Sequence, residues 1–143
     1  IVAENEKKDE ASFGLAKQAW FGLAFWMAFG LLVEGLIGFR SPAYLQDPVR
    51  REVFRLAHAH GTLLSILLLL ANLYIQKGLA SPPELGVLLL RIGVFVMPIG
   101  FLLGGIWHFE SEPGIGIFLA PIGGVLVVFG VVTLALSSRD KVR

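Results

Sequence analysis

Two imidazoles stand two positions apart in Arg55-Leu-Ala-His58-Ala-His60-Gly61-Thr62-Leu-Leu-Ser65, inside an otherwise apolar stretch. Ionisable groups at membrane depth are costly and mark functional sites. The remaining histidine, His108, and the carboxylates Glu34, Glu110 and Glu112 lie near the ends of other apolar runs. These residue types allow three kinds of chemistry. Imidazoles on facing helices can ligate a haem axially, here His58 with His108, as b-type cytochromes do in bundles. His58, Glu34 and His108 from three helices can hold a transition metal ion such as Fe, Cu or Zn. Glu34 with a histidine can also relay protons or hydrogen-bond a polar headgroup such as a quinol. Against all three stands a structural account, in which Glu34 pairs with Arg55 or His58 and only fixes helix register.

A regular helix turns about 200° in two residues, so His58 and His60 cannot both face one small ion. His58 continues a polar stripe with Arg51, Arg55, Thr62, Ser65, Asn72 and Gln76, and is expected to face the bundle interior. His60 shares its side with Leu56, Leu63 and Leu67. It is left to a subunit contact, a lipid headgroup or a second cofactor site. Arg55, Thr62 and Ser65 complete the candidate polar site around His58.

The elements that carry these residues are membrane spans. Hydrophobic residues make up 55% of the 143, charged residues only 16%, and the mean hydropathy is +0.74. Soluble domains average about 25% charged residues, so this chain lacks the charge to cover a water-facing surface. A net charge of +1 leaves no nucleic-acid footprint, and the absence of cysteine removes disulfides, Fe–S clusters and thiolate metal sites. There is no nucleophile elbow, no phosphate-binding glycine loop, no HExxH and no internal repeat.

Residues 1–12 read as a charged, solvated tail rather than a secretory signal. The first apolar run, Phe13 to Phe39, exceeds the roughly 20 residues a bilayer requires. Gly30, Glu34 and Gly38 fall on one of its faces, which is expected to meet protein. Asp47-Pro48 reads as an N-cap followed by the first helical residue, opening a second helix that ends near Gln76. Ser81-Pro-Pro-Glu84 fits a capping box, placing the third helix at Pro82 to His108 with a kink at Pro98. Gly100, Gly104 and His108 share one face there. Pro113 is expected to open the fourth helix, with Gly116, Ala120 and Gly124 as its small-residue seam, ending near Ser137. Residues 138–143 form a basic C-terminal tail. The whole is an all-α, integral membrane, four-helix up-and-down bundle over residues 13–137.

Eight of the twelve basic residues fall on the side of the two termini. The positive-inside rule then puts both termini in the cytoplasm of a bacterial inner membrane. In that topology Glu34, His58, His60, His108, Glu110 and Glu112 gather in the outer leaflet. Trp20 and Trp107 read as interfacial anchors.

Leu56-Ala-His-Ala-His-Gly-Thr-Leu-Leu64, Pro98-Ile-Gly-Phe-Leu-Leu-Gly-Gly105 and Glu112-Pro-Gly-Ile-Gly together resemble a group of bacterial four-span proteins with no assigned activity. More distantly, Ala57-His58 with Gly61 is similar to the second helix of styrene oxide isomerase and hydroxylaminobenzene mutase. That resemblance implies haem b held by His58 and an isomerase-like activity on an epoxide or hydroxylamine-type substrate. An Asn expected six positions on is Leu64 here, beside Ser65. The expected function is a small multi-pass membrane protein binding haem b or a metal ion, with redox or isomerase-like chemistry. The other class is a non-catalytic accessory subunit of a larger membrane complex, binding no cofactor. Expected partners are lipid and either copies of itself or other membrane subunits.

Overall fold

The computed structural model describes the backbone of residues 2–138 and the side chains of residues 14–138. It is all-helical: α1 (Val2–Gly38), a short α2 (Pro42–Leu45), α3 (Pro48–Gln76), α4 (Glu84–Ile106) and α5 (Leu119–Leu136), the last preceded by a 3₁₀ turn, Ile115–Phe118. Four stretches among the described residues are long and apolar enough to cross a membrane: Gly14–Gly38, Pro48–Gln76, Glu84–Ile106 and Ile115–Leu136. The chain is a four-span helical bundle in contact with lipid. The charged N-terminal segment is helical from Val2 and continuous with the first span. Most of the basic C-terminal tail, residues 139–143, lies outside the described residues.

Short connections make successive spans antiparallel. The Ser81 N–H donates to the Ser137 carbonyl, which ties the α3–α4 turn to the end of α5 at one face, here called the terminal face. At the opposite, loop face, His108 after α4 meets Asp47 before α3. Leu15 and Ala19 of α1, Leu64, Leu68 and Ala71 of α3, Leu90 and Val94 of α4, and Val127 of α5 form one buried core. Val33, Tyr44, Val53 and Phe54 form a second cluster towards the loop face.

Glycines set how closely α4 and α5 approach. Gly86, Gly93 and Gly100 recur every seven residues on α4, as do Gly116 of the 3₁₀ turn and Gly123 and Gly130 of α5. A Cβ on Gly93 would stand 2.7 Å from the Gly123 carbonyl oxygen, and one on Gly130 would stand 2.8 Å from the Leu90 Cα. Backbone therefore packs on backbone, the usual solution where lipid removes the hydrophobic drive. The seam runs Gly116, Ala120, Gly123, not Gly116, Ala120, Gly124 as the four-residue spacing predicted. Two steps of four drift about 80° around a helix, whereas four plus three return within about 20°. The same drift corrects α1: Gly30 is buried, but the seam then passes to Val33 and leaves Glu34 and Gly38 exposed.

The helix starts divide in the same way. Asp47 caps α3 as expected, its Oδ1 accepting the Arg50 N–H at 2.8 Å. The predicted capping box at Ser81 does not form, and α4 starts at Glu84 with Pro83 as an uncapped N-cap. A residue before proline is pushed out of the helical region, so Ser81 and Pro82 stay outside the helix. Pro113 likewise does not open α5. Gly114 intervenes, its N–H donating to the Gly104 carbonyl at 2.8 Å. Helix α4 runs on through a buried Pro98, which leaves the Val94 carbonyl without its helical donor.

Candidate functional site

Helices α1 and α3 meet along a seam where bulk on one side faces a small residue on the other. Ser65 faces Gly22, the Trp26 indole lies on Gly61, and the His58 ring lies on Gly30. A Cβ on Gly30 would stand 2.6 Å from His58 Nδ1, so only glycine leaves the imidazole room. The ring is held by His58 Nδ1, which sits 2.8 Å from the Trp26 carbonyl oxygen. A carbonyl can only accept, so Nδ1 carries the proton. That carbonyl already receives the helical N–H of Gly30, one turn on.

With Nδ1 protonated, the Nε2 of a neutral ring presents its lone pair. No described residue bonds Nε2, and it is not one of the buried atoms left without a partner, so it stays accessible. His58 lines a groove of about 340 Å³ with Gly30, Val33, Glu34, Glu52, Arg55 and other α3 residues. Arg55 and Glu34 each lie one turn from the His58–Gly30 contact towards the loop face, and Glu52 lies further out. The polar groups thus run from a half-buried imidazole to exposed charges at the membrane surface. Glu34 forms no ion pair among the described residues, with Arg55 or otherwise.

His108 belongs to a separate cluster. Its Nε2 is 2.7 Å from Asp47 Oδ2, and its side chain is 8% exposed. Arg50 completes the group: Nη1 pairs with Asp47 at 3.2 Å and donates to the Ala43 carbonyl, and Nε donates to the Gly105 carbonyl at 3.1 Å. The cluster joins α2, the start of α3 and the end of α4. Burial disfavours the Asp47 anion, but the Arg50 N–H, the His108 bond and both neighbouring charges outweigh it. Its carboxyl is held below the usual range. Beside it, burial pushes the Tyr44 phenol up against the opposing pull of Arg51 and Arg55.

His58 lies eleven residues along α3 from Asp47, about 16 Å by helix rise. His58 and His108 therefore do not face one another across a haem, and the pairing read from the spans is not what the fold builds. Nor do His58, Glu34 and His108 converge, since no group of three His, Asp or Glu among the described residues could hold a metal ion. His60 turns back on its own helix, Nδ1 donating to the Leu56 carbonyl at 2.9 Å. Its ring lies 5.0 Å from that of Phe101 on α4. Thr62 Oγ1 is buried without a partner among the described residues, and Ser65 Oγ donates to the Gly61 carbonyl at 2.7 Å. Of the six residues expected to gather, Glu34 and His58 line one groove, and His108 pairs with Asp47 instead.

Three participants escaped sequence reasoning. Gly30 was legible only as a packing glycine, and Trp26 only as one aromatic among many. Asp47 was readable as a cap, and its second oxygen carries no signal of a partner 61 residues away. No protein family, curated protein or solved structure matches the chain.

Proposed function

We propose that this small multi-pass membrane protein binds haem b, or a transition metal completed by exogenous ligands, through His58 Nε2 in the α1–α3 groove. The observation that carries the reading is the Nδ1–H bond to the Trp26 carbonyl. Metal-ligating histidines almost always donate their other ring N–H to a carbonyl or carboxylate, which fixes tautomer and orientation. The donor set would supply a single imidazole ligand, with Gly30, Val33 and Leu56 as apolar walls. It does not fit a bis-histidine haem or an all-protein three-ligand metal site. The likeness at Ala57-His58 and Gly61 to styrene oxide isomerase points the same way.

When bound, such a group would supply electron transfer or Lewis-acid chemistry. The chain itself holds the imidazole against α1, limits water on the Gly30 side, and sets Glu34 and Arg55 where a proton or polar headgroup arrives from the surface. The positive-inside rule places this groove in the outer leaflet, with both termini cytoplasmic. Protein purified from native membranes should show a Soret band or about one equivalent of metal, lost in His58→Ala and kept in His108→Ala. A colourless, metal-free preparation overturns the reading.

A second reading, an accessory subunit or self-associating chain, draws on α1. This helix packs mainly on α3 and leaves Trp20, Phe21, Phe25 and Leu31 exposed. Copurification at fixed stoichiometry with a larger assembly favours it.

A further inference from the structure

A second polar site lies at the opposite membrane face and takes no part in the chemistry above. Gln18 of α1 and Arg91 of α4 hold each other reciprocally: Arg91 Nε donates to Gln18 Oε1 at 2.8 Å, and Gln18 Nε2 donates to the Arg91 carbonyl at 2.9 Å. Arg91 is seven residues into α4, about 10 Å from its start, so its charge lies below the surface. A guanidinium there needs an anion or an aqueous outlet. The ion pairs among the described residues all involve Asp47, and none reaches Arg91. Instead Arg91 lines an open groove of about 360 Å³ with Gln18, Leu88, Ile92 and Phe95.

The groove has a direction. Arg91 and Gln18 supply the polar end, and Phe95, one turn deeper along α4, is 61% exposed. This is the complement of an anionic phospholipid, with phosphate at the guanidinium and an acyl chain along Ile92 and Phe95. Because Gln18 occupies Nε, the guanidinium is oriented and its two terminal amino groups remain for phosphate oxygens.

We infer that Arg91 and Gln18 form a binding site for the phosphate of an anionic phospholipid in the leaflet of the terminal face. The test is native mass spectrometry of the full chain released from nanodiscs containing equal phosphatidylglycerol and phosphatidylcholine. Wild type should retain phosphatidylglycerol with a preference of about fivefold, the worth of one basic residue near anionic lipid. Arg91→Gln should abolish the preference, Arg91→Lys should keep part of it, and Gln18→Leu should weaken it. Equal retention of the two lipids by wild type overturns the inference without any variant, as does an undiminished preference in Arg91→Gln. Displacement of the bound lipid by inorganic phosphate also overturns it, by assigning the site to a soluble anion.

Discussion

At the scale of single residues, the decisive contact is an imidazole resting on a glycine. A methyl group at Gly30 would meet three atoms of the His58 ring, with Nε2 at 2.9 Å. Gly30→Ala should therefore expel the ring and break its bond to Trp26, with an overpacking cost of about 1–3 kcal/mol. We expect it to lose cofactor binding as completely as His58→Ala, read by absorption, while Gly35→Ala, where a Cβ meets nothing, leaves binding unchanged. Asp47 offers a second residue-scale test. A carboxyl whose folded pKa is depressed adds stability above its unfolded value and loses it as pH falls through the folded one. The contribution of Asp47 should be whole above about pH 4 and disappear progressively below. Asp47→Asn should flatten that acid limb of the thermal midpoint. His58 was legible in the sequence because imidazole is rare in hydrocarbon. The glycine that receives it was not, because a sequence does not say which of seventeen glycines faces which side chain.

At the scale of helices, span number, order and the α3 start were readable from apolar run length and from Asp47-Pro48. The seams were not, because four-residue spacing drifts and only the three-four alternation stays on one face. Gly123 and Gly124 separate the two descriptions. A Cβ on Gly123 would press within 2.7 Å of the Met97 Cα, whereas one on Gly124 would touch only the Met97 side chain at 3.7 Å. Gly123→Ala should thus lower thermal stability, by about 1–3 kcal/mol, and Gly124→Ala should be nearly silent. The end of α1 gives the opposite sign. Arg40 closes the helix at φ 53°, with the Ser41 N–H donating to the Leu36 carbonyl. A side chain costs about 1–2 kcal/mol in that left-handed region. Arg40→Gly should raise the thermal midpoint.

At the scale of the whole molecule, the bundle distributes its few polar groups to three places instead of pooling them. The Asp47–His108–Arg50 cluster fastens the loop face, the Gln18–Arg91 pair spans α1 and α4 near the terminal face, and His58 stands in the α1–α3 groove. The apolar runs placed His58, His108 and Glu34 at one membrane face. They could not show that His108 is consumed by Asp47, since which side chains meet depends on helix rotation as well as depth. That division also separates stability from binding. Loss of His108 should loosen the loop face while leaving the groove intact, and loss of His58 should do the reverse. The most direct measurement is a haem titration of wild type, His58→Ala and His108→Ala in nanodiscs, followed at the Soret band. Saturable one-to-one binding in wild type and His108→Ala, absent in His58→Ala, is the expected result. No binding in wild type, or binding that depends on His108 and survives the loss of His58, would contradict the account.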